Sequence, residues 1–175
     1  MTRLADDRVL VVGGGERRAS ATAEIYNPAL GSWTQTGSMN TARIHHSATL
    51  LDDGRVLVAG GDDGAPYGAT YFASAEIYNP ATGTWSSTGS LVAPRYAFTM
   101  TSLNDGRVLA VSSEGTSRGT AEIYNPASGA WSATSSLNQF RSLHAASLLN
   151  DGRVLIAGGS DCCANVLASA EIFKP

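Results

Sequence analysis

Three arginines, Arg43, Arg95 and Arg141, stand at the head of a near-repeated stretch in this 175-residue chain. A guanidinium is a flat fork of donors that meets a carboxylate through two parallel bonds. Three of them on one rim would take acidic groups. The same recurrence fits a second use, in which each arginine ties one repeat to the next, with Glu24, Glu76, Glu122 and Glu171 or loop carbonyls as partners. Ligand sites tend to be asymmetric, whereas scaffolding repeats. Asp62, Asp63, Tyr67 and Tyr71 lie together in one long variable segment that ends at Phe72. Carboxylates there accept hydroxyl or amide protons and aromatic rings stack on apolar faces, which suits a sugar or a peptide. The equivalent later segment carries Arg118. His46 and His144 occupy equivalent positions, but Phe98 stands at the same place between them, which favours packing over metal ligation. His45 is adjacent to His46, so on a strand the two point to opposite faces and cannot chelate one ion. Cys162 and Cys163 are adjacent and lack the CxxC spacing of a zinc site. No catalytic residue, metal site or cofactor is expected.

The elements that position these residues follow from a repeat. Ala75-Glu76-Ile77-Tyr78-Asn79-Pro80 recurs at Ala23, at Ala121 and, as Ala170-Glu171-Ile172-Phe173-Lys174-Pro175, at the end of the chain. Trp33, Trp85 and Trp131 follow the first three copies, 52 and 46 residues apart. Self-similarity at a period near 50 residues marks a repeat architecture. The differences in period belong in loops, because a strand that absorbed them would slip register.

Each unit holds four strand-like runs, A to D. Run A covers residues 43–51, 95–103 and 141–149. Run B is short and apolar, as in Val56-Leu57-Val58-Ala59, which suits a strand buried on both faces. Run C alternates, placing Glu76 and Tyr78 on one face and Ala75 and Ile77 on the other. Run D starts at Trp85 and its relatives. Asp53-Gly54, Asp105-Gly106 and Asp151-Gly152 between A and B predict hairpins with type I′ turns. Asn79-Pro80-Ala81-Thr82-Gly83 turns C into D. Run B ends in Gly13-Gly14, Gly60-Gly61 and Gly158-Gly159, where a neighbouring backbone can approach closely. Tyr26, Tyr78 and Tyr124, with the three tryptophans, are the expected large contacts between units. The fold class is all-β, a propeller of four-stranded antiparallel blades.

An apolar run ending in Gly-Gly, then Tyr, then Trp, with Arg opening the next inner strand, resembles the kelch repeat over nearly the whole chain. Three departures stand out. Ser112-Ser113 replaces one Gly-Gly, Phe173 replaces one Tyr, and Asp6-Asp7 lacks the glycine of the A–B turn. The resemblance implies a β-propeller of kelch-type blades, and the varied B–C loops on that scaffold mark the expected binding end. The run Asp-Gly-Arg-Val-Leu-Val-Ala-Gly-Gly also resembles galactose-oxidase-like propellers. Those enzymes use copper held by tyrosines and histidines, and no residue of that set can be carried over to this chain.

The expected segments are 1–38 as a blade lacking strand A, 39–90, 91–136, and 137–175 as a blade lacking strand D. That makes 14 strands, fewer than a closed kelch ring, so a piece of a longer propeller is expected. Its raw ends would meet further blades or a second copy of the chain. The leading function is a non-catalytic scaffold that binds a protein or glycan at the B–C loop and channel-mouth face. A fragment of a kelch-propeller enzyme and a fragment whose property is self-assembly remain as alternatives. Net charge is −3 and Lys174 is the only lysine, which disfavours nucleic acid. No stretch approaches the ~20 apolar residues of a membrane span. An extracytoplasmic or secreted setting is the expectation, although residues 1–6 lack a signal-peptide core.

Overall fold

The computed structural model describes residues 1–15, 18–112 and 119–175. Among these residues it is all strand and loop. The first sheet is β1 (Thr2–Arg3), β2 (Val9–Val12), β3 (Ala23–Asn27) and β4 (Ser32–Thr36). The second is β5 (Ser47–Leu50), β6 (Val56–Ala59), β7 (Ala75–Asn79) and β8 (Thr84–Thr88). The third is β9 (Thr99–Ser102), β10 (Val108–Val111), β11 (Ala121–Asn125) and β12 (Ala130–Thr134). The fourth is β13 (Ala145–Leu148), β14 (Val154–Ala157) and β15 (Ala170–Phe173). Each sheet is an antiparallel meander in chain order. These are propeller blades, and the chain is a partial kelch-type β-propeller.

Two expectations need correction here. The first blade does not lack strand A, because β1 pairs with β2 through Thr2↔Leu10 and Arg3↔Val9. Two residues carry no alternation to read, so sequence patterning missed it. The turn that joins them has Asp7 in the glycine position at φ 69°. Nor are the A–B turns type I′. Gly54, Gly106 and Gly152 have positive φ, but the aspartates before them do not. Gly54 N–H donates to Leu51 O and Leu51 N–H to Arg55 O, a type I turn followed by a left-handed residue. Asp53 fixes it by accepting from Arg55 N and Nε, and Asp105 and Asp151 do the same for Arg107 and Arg153.

The core lies between blades. Val56 and Val58 of β6 pack with Leu10, Val12 and Ile25 of the first blade and with Met39 of the connection between the two blades. Leu57 and Ala59 face the other way and pack with Phe98, Val108 and Ala110 of the third. A third cluster joins Leu109 and Val111 to Val154, Ile156 and Phe173. The middle B strands, β6 and β10, are therefore buried at every residue, whereas β2 and β14 alternate. Each fully buried Val or Leu contributes about 1.5–3 kcal/mol. The A strands of successive blades lie side by side. Thr49 Oγ1 meets Ser102 Oγ at 3.0 Å, and Ser102 Oγ donates to Leu50 O at 2.9 Å.

Candidate functional site

The strands of run A begin only four residues after their arginines, because the head of the run kinks. His45, Ala97 and Leu143, each two residues after its arginine, have φ of 52°, 49° and 54°. Left-handed backbone at a non-glycine residue needs compensation. Here it comes from a ladder around the blade ends, in which Ala97 N–H donates to His45 O and Leu143 N–H to Ala97 O.

The kink decides where the arginines go. Arg43, Arg95 and Arg141 are essentially without exposure. Their guanidiniums turn into their own blades. Arg43 Nη1 donates to Gly60 O at 2.6 Å and Ser74 O at 3.0 Å, and Nη2 meets Glu76 Oε1 at 3.1 Å. Arg95 contacts Ser112 O, Thr120 O and Glu122 Oε1. Arg141 contacts Gly158 O, Ser169 O and Glu171 Oε1. Each glutamate also accepts backbone N–H groups at the entry to strand A, from Asn40 and Thr41, from Val92 and Ala93, or from Asn138. The expected rim of guanidiniums facing a ligand is thus corrected. The kink aims each side chain inward, where every charge meets a carboxylate. Glu24 holds the same register position as Glu76 on its own blade, but it is exposed.

The backbone of the same arginines joins the preceding blade. Gly14 N–H donates to Arg43 O, and Gly61 N–H to Arg95 O at 2.7 Å. Arg43 N–H donates to Ser20 O and Arg95 N–H to Phe72 O. A Cβ on Gly60 would lie 2.4 Å from Arg95 O and 2.7 Å from the Phe98 ring. In the third blade Ser112 takes the glycine-like φ of 61°, and its Oγ accepts from Arg141 N at 2.8 Å.

His46, Phe98 and His144 fill equivalent places against these loops. His144 Nε2 bonds Thr99 Oγ1 at 2.9 Å. Burial, followed by the charge of Arg43 or Arg141, pushes both imidazoles down to about 4. Among the described residues no group of three or more His, Cys, Asp or Glu side chains is placed to hold a metal ion.

The variable end of the second and third blades gathers a different set. Asp62 is nearly buried and forms an antiparallel bridge with Ile44 and another with Tyr71. Its Oδ1 accepts from Gly64 N, and its Oδ2 from His45 Nδ1 at 2.8 Å. The His45 side chain is itself half-exposed. Tyr71 stacks on Tyr96 with centroids 4.4 Å apart and planes at 22°. Burial, Tyr71 and the charge of Asp62 push the Tyr96 phenol up. Tyr67 stands at the loop tip, 93% exposed. Asp63 accepts from Ala65 N and Thr70 N, which hold its carboxyl below the usual range. It also borders a cleft of about 360 Å³ with Arg18, Ala42 and Pro66.

Of the sequence-predicted ligand residues, Tyr67 and Tyr71 are exposed, Asp62 positions an imidazole, and Asp63 closes its own loop. Arg118 lies outside the described residues. Sequence reasoning missed His45 and Tyr96. The signal was present: the two residues after each arginine read Ile44-His45, Tyr96-Ala97 and Ser142-Leu143, the varied positions beside an invariant one.

The opposite end is repetitive. Asn79 Oδ1 accepts from Ala81 N, and Asn27 and Asn125 repeat the bond. In each complete blade the C-strand tyrosine packs on the D-strand tryptophan at 5.0 Å. Tyr78 Oη meets Thr36 Oγ1 of the preceding blade at 2.7 Å, Tyr124 Oη meets Thr88 Oγ1 at 2.7 Å, and Trp85 Nε1 donates to Gly37 O.

A family model described as the Kelch motif matches residues 5–40 and 43–91. Beta-scruin of Limulus polyphemus is 29% identical over 104 residues, 59% of this chain and 11% of that protein. An F-box/kelch-repeat protein of Arabidopsis thaliana is 33% identical over 100 residues, 53% of this chain and 25% of the relative. A galactose oxidase of Gibberella zeae is 29% identical over 80 residues, 46% of this chain and 11% of the enzyme. The chain spans between a tenth and a quarter of the length of these relatives. Two matched motifs, the repeated Tyr–Trp pairs and the four-stranded blades support placing the chain among kelch-repeat proteins.

Proposed function

We propose that this chain is a non-catalytic interaction scaffold that holds a protein partner at the B–C loop end of its blades. One observation carries the reading. His45, held by the buried Asp62, and the stacked Tyr71 and Tyr96 come from two adjacent blades, and Tyr67 stands exposed in the loop that carries Tyr71. Tyrosines supply large, stiff contact area with a polar tip, and they are enriched at protein interfaces. Kelch repeats generally serve protein interaction, which supports the same reading. The imidazole Nε2 and the phenols add hydrogen bonds that orient a partner. A glycan is the second ligand class that aromatic faces with hydroxyl donors suit.

The test is affinity capture with paired variants, followed by measured affinity for each retained protein. Tyr67→Ala and Tyr71→Ala should weaken a genuine partner at least tenfold. Leu30→Ser, at the opposite end, should leave it unchanged. A partner lost through Leu30→Ser and indifferent to the tyrosines would place binding at the wrong end. Binding to glycans alone, with the same tyrosine dependence, would replace the protein by a sugar.

A further inference from the structure

The fourth B–C loop carries chemistry that the tyrosine site does not use. Cys162 and Cys163 lie between β14 and β15, both free and both exposed. Their Sγ atoms are 3.8 Å apart. Asp161 builds the loop around them. Its Oδ1 accepts from Cys163 N and Asn165 N, and its Oδ2 from Asn165 Nδ2. Asp161 N–H donates to Asn165 O, and Ala164 completes the turn at φ 61°. The two sulfurs therefore project together from a closed turn.

Three uses compete for such a pair. A direct disulfide needs sulfurs about 2.05 Å apart on Cα atoms usually about 4.4–6.8 Å apart. Adjacent residues across a trans peptide offer only about 3.8 Å between Cα atoms, so that ring is strained. A tetrahedral zinc site needs four ligands, and among the described residues no third His, Cys, Asp or Glu joins this pair in a metal-binding group. The remaining use is a single bridging atom between the sulfurs, which requires no S–S bond and no further protein ligand. Thiolates select soft centres. The Cys163 thiol is pushed up by its hydrogen bond to Cys162, then by the charges of Cys162 and Asp161, so it keeps its proton until a thiophile displaces it.

The geometry points to Cys162 and Cys163 as a bidentate dithiol site for a soft, thiophilic centre that is satisfied by two sulfurs. With a trivalent organoarsenic oxide, two As–S bonds form and the arsenic–oxygen double bond breaks. The oxygen leaves as water with both thiol protons, and the arsenic stays trivalent. A monovalent copper ion is the metal counterpart and displaces the two protons to solvent.

Phenylarsine oxide tests the site by intact mass, with excess monothiol present to strip one-point adducts. The expected result is one adduct per chain, reversed by a small dithiol. Cys162→Ser and Cys163→Ser should each weaken it by roughly 100-fold, the loss expected when the second, intramolecular ligand is removed. Both side chains are exposed, so unchanged circular dichroism verifies the fold of each variant. Cuprous ion, measured against a competing chelator, distinguishes a metal from a metalloid preference, and tight one-to-one binding there that needs both thiols also supports the site. Failure of both probes would overturn it. So would single-serine variants that bind as tightly as the parent, or a purified chain lighter by two hydrogens with no titratable thiol.

Discussion

Gly61 N–H donates to Arg95 O at 2.7 Å, while the Arg95 guanidinium is buried against Glu122 in the next blade. One residue therefore belongs to two blades, through its backbone to the second and through its side chain to the third. Arg43 repeats this between the first and second blades. The repeated arginine of this chain is an internal clamp, and two residues further on the left-handed kink presents the half-exposed His45.

The close approach at Gly60 makes a first prediction. Gly60→Ala would place a Cβ against backbone at 2.4 Å, at a φ of 66° that disfavours any side chain. Backbone strain of this kind costs on the order of 1–3 kcal/mol. Urea unfolding should show a lower midpoint than for Gly14→Ala, where an added Cβ meets nothing within 4 Å although φ is also positive. Equal midpoints would mean that the contact with the next blade does not constrain this position.

The tyrosine hydroxyls join neighbouring blades near their outer edges. Tyr124→Phe removes the bond to Thr88 Oγ1 and should cost about 0.5–1.5 kcal/mol. Tyr78→Phe should behave alike through Thr36. The fourth blade already has Phe173 at this place, buried against the third blade. Phe173→Tyr is then predicted to raise the unfolding midpoint by bonding Thr134, the residue equivalent to Thr36 and Thr88.

His46 and His144 make stability fall with acid. Their folded values of about 4 lie below the ordinary 6.5. Between those values the unfolded chain binds protons that the folded chain refuses, so stability declines as pH drops from about 6.5 to about 4. Below that range these two groups add no further loss. His144→Phe, which copies Phe98 of the blade between, should flatten the slope of unfolding free energy against pH. An unchanged slope would assign the acid loss to other groups.

The period, the C and D strands and the order of the sheets were legible because the repeat multiplied each weak signal and Asp-Gly and Asn-Pro marked the turns. β1 was not, since two residues leave no pattern. The A–B turn was misread because Asp53 bonds Arg55 and keeps a negative φ, leaving positive φ to Gly54 alone. Sequence placed the arginines at the head of strand A, but their direction depends on the kink at His45, Ala97 and Leu143, which no residue type there announces. Asp62 and Tyr71 were legible as loop residues. Their partners His45 and Tyr96 arrive from strand A heads of two different blades, a juxtaposition created by packing.

The most direct test of the clamp is a double-mutant cycle on Arg95 and Glu122, read by equilibrium unfolding. Glu122→Leu should cost about 3–5 kcal/mol because it strands a buried guanidinium. Arg95→Met with Glu122→Leu should cost much less than the sum of the two single changes. Single costs within about 1 kcal/mol that simply add would describe a solvated rim pair, and would contradict the inward arginine on which this account of the blades rests.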